Sequence, residues 1–541
     1  MNKISVSNSQ RKLGAFYTPF EYAKKALELV RKAISLVPQG NDYIILDRCA
    51  GTGNLEYFMT DEELSHCILN TYDLEEWKIL NSNYKDRVRL VIPLNKTDSG
   101  YSGYNALSES FIVNSEIQKY IDNPNCNIIL LENPPYSDDS ADAPFGKGSR
   151  GNTKDNYLVS IMNKELSSSF KGLVQSKDIC NLFIWSGFKY YLRNENDFYI
   201  LLAPLKYWKT GHLVNKKFLK GYAFNRKHFQ AGPSVVGCIL WQNKDENIDK
   251  IQLEAFDIIN GRIEYIKNLT VYKVYKTVNE YLFDKRVFDD DTEDGIYSAS
   301  SGLEGEKKSS TSTVPIYNKN IVGYLYLTGL SLERKHLFLT RNTLNYRKNG
   351  FYLREDNFIE KLPLFCAKSY PQNKWYETDV YSTVADKLDE YTKDKEFLKR
   401  CLIFTCLSIR NKCRSLYGSD GRFYRNELCL YSESKAGLML KEFVRNGCCL
   451  LGIEKDLICS YNEILCEISK KDSNGNYIYS EYKDEYWYGI YQIEDEINVN
   501  MDKSIKKYPL LNEMLCKLKS LLKVYYSEYI ERSLFEYELL K

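Results

Sequence analysis

Five short runs, Ile44–Asp47, Cys67–Asp73, Val88–Ile92, Ile128–Glu132 and Phe198–Ala203, are largely apolar, and stretches of helical periodicity separate them. Strands covered by helices on both faces read this way, because neither face is left for polar residues. The alternation predicts an α/β domain over residues 1–245. Tyr22, Ala26, Leu29, Ala33 and Val37 recur at helical spacing before the first run. A second helix is predicted over Asn181–Leu192, and Val235–Trp241 reads as a terminal strand in a hairpin. Past the polar stretch Asn243–Asp249 the alternation is lost, which predicts a second, mixed α+β domain over residues 246–541. At 541 residues the chain exceeds the length at which one hydrophobic core stops growing, so two domains are expected on size alone. Asp289–Thr313 has few apolar residues and reads as a long mobile loop. The stripe Leu511, Met514, Leu515, Leu518, Leu521, Leu522 and Tyr525 predicts a terminal helix packed on a core.

Composition removes several functional classes. With 43% hydrophobic and 27% charged residues the chain is neither disordered nor membrane-like, and no apolar run approaches the ~20 residues of a bilayer span. The opening Met1–Ser5 is polar with no apolar stretch behind it, so no secretory signal is read and a cytoplasmic location is expected. The 15 cysteines lie largely in apolar surroundings without any Cys-x-x-Cys, which favours reduced thiols over disulfides or a zinc site; no metal is expected. Only four histidines are present, so histidine-centred catalysis is poorly supported. A net charge of +2 decides nothing about nucleic acid, since a basic face can be offset elsewhere.

Two segments carry chemistry. After the first strand, Asp47-Arg48-Cys49-Ala50-Gly51-Thr52-Gly53 forms a strand-to-helix turn whose glycines allow close backbone approach to a ligand and expose amides at a helix start. Asp73, closing the second strand, is placed for the hydroxyls of a ribose. No third glycine follows, which favours a cofactor without a pyrophosphate. The fourth strand ends in Asn133-Pro134-Pro135-Tyr136, at the end of the sheet where ligands of open parallel sheets bind. Two prolines make a rigid ledge with free carbonyls, the Asn133 amide adds an acceptor, and Tyr136 supplies a flat face. Such a segment suits a planar amine, whose two hydrogens would go to Asn133 Oδ1 and the Pro134 carbonyl.

These residues resemble the amino-methylating DNA methyltransferases of the gamma arrangement, over roughly residues 11–243. Gly14-Ala15-Phe16-Tyr17-Thr18-Pro19 is similar to that family's first motif, Asp47, Cys49, Gly51 and Gly53 to its glycine motif, Asp73 to its ribose acid, and Asn133–Tyr136 to its catalytic motif. The resemblance implies a Rossmann-like S-adenosylmethionine-dependent methyltransferase domain with a mixed seven-stranded sheet, followed by a carboxyl-terminal α+β target-recognition domain. It implies contacts from Tyr17 and Thr18 to the methionine part of S-adenosylmethionine, and packing of Phe229 on a flipped adenine. The residue facing the cofactor's adenine is left between Asp98 and Asn105. The resemblance implies double-stranded DNA as substrate, a monomeric bacterial enzyme that is nucleoid-associated when bound, and a separately encoded restriction endonuclease as partner.

Candidate DNA contacts are Lys147 and Arg150, in the polar loop Ser137–Asp155, and two basic, aromatic-interleaved stretches containing Arg341, Arg347 and Lys348 and then Arg410 and Lys412. Asn-Pro-Pro-Tyr also occurs in methyltransferases of glutamine side chains and RNA, but the carboxyl domain favours DNA. A fused nuclease is disfavoured because Asp472 with Glu481-Tyr482-Lys483 is a loose match to a metal-binding nuclease cluster.

Overall fold

The fold is described from a computed structural model covering residues 17–97, 100–136, 157–166, 178–276, 278, 281, 321–327, 332, 350–417, 423–499 and 506–541. The chain divides into two compact units, one of Met1–Tyr275 with Asn373–Val380, the other of Lys276–Gln372 with Tyr381–Lys541.

The first unit is built on a nine-stranded mixed sheet: β1 (Asp42–Asp47), β2 (Cys67–Leu69), β3 (Leu90–Val91), β4 (Cys126–Glu132), β5 (Phe198–Ala203), β6 (Lys216–Asn225), β7 (Val235–Asp245), β8 (Lys250–Ile259) and β9 (Arg262–Tyr272). Their spatial order is β9-β8-β6-β7-β5-β4-β1-β2-β3. Strands β1 to β5 run parallel, and β7 is antiparallel to both β5 and β6. This is the expected Rossmann-like α/β class. Two further strands join the expected seven: β8 pairs parallel with β6 and antiparallel with β9. The polar stretch Asn243–Asp249 is therefore the end of β7 and its link to β8 within the sheet.

Buried parallel strands explain the apolar runs: every residue of β4 and β5 is buried. Helix α1 (Phe20–Ser35) covers the sheet through Tyr22, Ala23, Ala26, Leu27, Leu29, Val30 and Ala33, the face its periodicity marked. Leu27, Leu29 and Val30 each contribute about 1.5–3 kcal/mol by this burial. Helix α2 (Leu74–Tyr84) starts beyond β2, where Asp73 Oδ1 accepts the amides of Glu75 and Glu76. Helix α3 (Ile179–Ser186) passes into a π-turn at Gly187–Tyr191, so the predicted helix there is two segments of different pitch.

The second unit has its own core. Helix α4 (Phe358–Lys368) packs on α5 (Lys395–Leu407), and α6 (Gly452–Ile468) lies along α7 (Pro509–Tyr529). The stripe on α7 buries Leu511, Leu515, Leu518, Leu522, Tyr525 and Tyr526, as its spacing requires. Buried Glu454 on α6 accepts from Lys399 Nζ (2.9 Å) and Tyr525 (2.8 Å). Among the described residues no helix is long and apolar enough to cross a membrane. The loop Asp289–Thr313 lies outside the described residues.

A candidate cofactor and catalytic site at the carboxyl ends of the strands

A cavity of about 320 Å³ opens where β1, β2 and β4 end, bordered by Tyr17, Thr18, the turn Asp47–Gly51, Asp73, Glu76, Tyr104–Leu107, Asn133, Pro135 and Phe183. Its floor is the glycine turn. Gly51 and Gly53 both adopt left-handed backbone, at φ +59° and +83°, which side chains other than glycine's rarely tolerate. A Cβ on Gly51 would point at the Tyr17 ring 3.6 Å away, inside the cavity border. A Cβ on Gly53 would stand 2.3 Å from the Tyr84 ring, so this second glycine serves packing, not ligand access. Asn70 fastens the turn from the side: its Nδ2 donates to the carbonyls of Arg48 (2.8 Å) and Tyr104 (3.1 Å), while its carbonyl accepts from Ala50 (2.8 Å).

Asp47 is fully buried, and its Oδ1 accepts the Cys49 amide at 2.8 Å. Burial, then the neighbouring Glu56 and Glu132, pushes its carboxyl well above the usual range. Glu56 is likewise pushed up, to about 7, by burial.

Two carboxylates border the cavity beyond the end of β2. Asp73 is committed in part to capping α2, whereas Glu76, one turn on, is buried against the cavity. Glu76 accepts from Tyr17 OH (2.6 Å) and Thr71 Oγ1 (2.9 Å), and burial raises its carboxyl above the ordinary value. Sequence reading passed over Glu76, although its place in the first turn after β2 was a usable signal. Of the two candidates for the far wall, Asn105 borders the cavity and Asp98 lies outside the described residues. Asn105 Oδ1 accepts the Leu107 amide at 3.0 Å.

Asn133 is held at both ends of its amide. Nδ2 donates to Thr18 Oγ1 at 3.1 Å, and Oδ1 accepts a short bond from Tyr136 OH, which also donates to the Leu202 carbonyl at 2.9 Å. The Thr18 carbonyl in turn accepts from Asn54 Nδ2 at 3.0 Å. Thr18, expected as a cofactor contact, thus orients the Asn133 amide. Tyr136 turns its hydroxyl to Asn133 and does not border the cavity, in place of presenting an open stacking face there. Pro134 is buried and Pro135 borders the cavity.

The structure does not bring Phe229 to this site: it is 1% exposed and stacks on Tyr22, with ring centroids 5.7 Å apart. A core aromatic cannot offer a face to a ligand without leaving its packing. Gly14–Phe16, Lys147, Arg150, Arg341, Arg347 and Lys348 lie outside the described residues. In the second unit Arg410 is half-buried, while exposed Lys412 stands 5.1 Å from the Tyr491 ring centroid. Among the described residues no cluster of His, Cys, Asp and Glu could hold a metal ion.

The residues fit S-adenosylmethionine. The Gly51 cradle, which a Cβ would fill, admits a close ligand; Glu76 and Asp73 offer acceptors for ribose hydroxyls; Phe183 and Leu55 add apolar surface.

No family model and no curated relative matches the chain. Part of it is similar to several solved structures, three of them restriction or modification proteins. The type IIG restriction endonuclease BpuSI is 14% identical over 44% of this chain and 26% of that one, at a TM-score of 0.30. The Type ISP restriction-modification enzyme LlaGI, in a nuclease-deletion form with a DNA substrate mimic, is 14% identical over 45% of this chain and 28% of that one, at 0.30. A modification subunit ascribed to a type I restriction enzyme of Vibrio vulnificus is 14% identical over 46% of this chain and 48% of that one, at 0.29. The chain thus spans between a quarter and a half of the length of these structures.

Proposed function

We propose that the chain is an S-adenosylmethionine-dependent methyltransferase acting on the N6 amine of adenine in double-stranded DNA. One observation carries the reading: the Asn133 amide, clamped by Thr18 and Tyr136, borders the same cavity as the Gly51 turn. When bound, S-adenosylmethionine supplies an electrophilic methyl carbon, which goes to an amine while sulfur keeps the bonding electrons. Asp47, Gly51, Glu76 and Asn105 would hold it. Asn133 Oδ1, which also accepts from Tyr136, takes one hydrogen of the target amine. The Pro134 carbonyl accepts the other. Two acceptors on a conjugated amine favour its pyramidal form and free the nitrogen lone pair, the contribution of positioning and fixed dipoles. The amine proton leaves after transfer, so no strong base is required. An adenine inside a duplex does not reach such a cavity and must be flipped, at a few kcal/mol of unstacking. Target recognition falls to the second unit, with Arg410 and Lys412 as phosphate contacts.

The test is transfer of labelled methyl from S-adenosylmethionine to DNA, RNA or protein, followed by nucleoside analysis. N6-methyladenine in DNA is the expected product. Asn133→Ala should bind S-adenosylmethionine as the wild type does and lose methylation by roughly 100-fold or more. Label in protein or RNA only, or an unchanged rate in the variant, refutes the assignment.

A further inference from the structure

Beside the Asn133 amide lies an ion pair whose side chains are wholly buried. In the β1–β4 register Leu46 is opposite Leu130, and two residues on, at the strand ends, Arg48 stands beside Glu132. Both side chains are 0% exposed. Arg48 Nε donates a short bond to Glu132 Oε1, and Nη2 donates to Oε2 at 2.9 Å, a bidentate fork. Two more guanidinium hydrogens reach α3, with Nη2 on the Phe183 carbonyl at 2.7 Å and Nη1 on Ser186 Oγ at 2.9 Å. Tyr199 of β5 donates to Glu132 Oε2. The guanidinium lies between the rings of Tyr191 and Phe183, 4.6 and 5.2 Å from their centroids. Gly187 leaves room for it: a Cβ there would come 3.2 Å from Arg48 Nη2 and 2.8 Å from the Tyr199 ring.

Stability does not account for this arrangement, because an apolar pair of the same volume often serves a core as well or better than a buried ion pair. Its members have telling neighbours. Arg48 is followed by the glycine turn, and Glu132 is followed directly by Asn133. The planar fork admits one relative placement of the two strand ends, and the α3 bonds add Phe183, which borders the cavity. We propose that Arg48 and Glu132 are positioning residues that set the spacing between the turn holding the methyl donor and the amide holding the acceptor amine. This rests on the methyltransferase reading above.

The experiment uses the full chain, Glu132→Gln, and the apolar double variant Arg48→Met with Glu132→Leu. Urea midpoints, S-adenosylmethionine affinity by calorimetry, KM for duplex DNA and the single-turnover methylation rate are measured on each. The double variant should keep about the wild-type urea midpoint, and Glu132→Gln, which leaves a buried guanidinium without its counter-charge, should stay folded at a lower one; both should keep cofactor affinity and KM within about threefold, while the single-turnover rate falls by roughly 10- to 100-fold, the scale of a misplacement near 1 Å. A double variant that methylates at the wild-type rate overturns the inference, as does a rate loss that tracks lost folding or lost cofactor affinity. A wild-type chain that binds the cofactor but methylates nothing overturns the methyltransferase reading and this inference with it.

Discussion

Gly51 and Gly53 look alike in the sequence and differ in what surrounds them. Both need left-handed backbone, which costs an alanine about 1–2 kcal/mol. At Gly51 the added methyl meets nothing closer than 3.6 Å, but it enters the cavity border. At Gly53 it meets the Tyr84 ring at 2.3 Å, and Tyr84 is tied to that turn by its hydroxyl on the Gly53 carbonyl (2.7 Å). Gly53→Ala should therefore lower unfolding free energy by roughly 2–4 kcal/mol, strain plus clash, in urea titrations. Gly51→Ala should lose only the strain and weaken S-adenosylmethionine binding more strongly, as calorimetry would show. Equal effects of the two on both measurements would contradict this division. Thr18 makes the complementary point: its place near the cofactor motif was legible, yet its bond to Asn133 spans 115 positions and could not be read from spacing.

At the scale of elements, strands β1, β4 and β5 were legible because burial on both faces leaves a continuous apolar run. β2 and β3 are shorter than their runs; beyond β2, Thr71–Asp73 turn away to border the cavity, and Asp73 caps α2. The segment after β1 also carries a titration. Glu56 is 0% exposed, and burial pushes its carboxyl from an ordinary value of 4.5 up to about 7. Between those values the folded state binds the proton more tightly than the unfolded state. The resulting stability is fully present below 4.5 and is lost as pH rises to about 7, by up to about 1.4 kcal/mol per pH unit. Asp47, raised in the same direction by the same burial, adds to the slope. Urea midpoints measured from pH 5 to 7.5 should fall with pH, and Glu56→Gln should flatten that fall. A variant with the wild-type slope would remove Glu56 as its source.

At the scale of the whole chain, the first unit is discontinuous: the chain leaves it after Tyr275 and supplies Asn373–Val380 to it later. Lys209 shows why the return matters. It is 2% exposed, burial lowers its ammonium to about 7, and Nζ donates to the Val380 and Asp379 carbonyls. A chain ending at Tyr275 lacks those acceptors and should unfold about 1–3 kcal/mol more readily than the same unit in the full chain. Lys209→Met should recover part of that loss in the truncated chain, followed by the fluorescence of Trp208 and Trp241. No recovery would mean that the segment acts through other contacts. The sequence alone determined the α/β class, the glycine turn and the rigid Asn133–Tyr136 ledge at the end of a strand, because hydrophobic periodicity and backbone restriction act over a few neighbouring residues. Only the tertiary structure decided that Glu76 joins Asp73 at the cavity, that Arg48 meets Glu132, that Phe229 is a core residue, and that residues 373–380 belong with the sheet. Those pairings depend on strand order and register across long separations, where no local preference marks the partner.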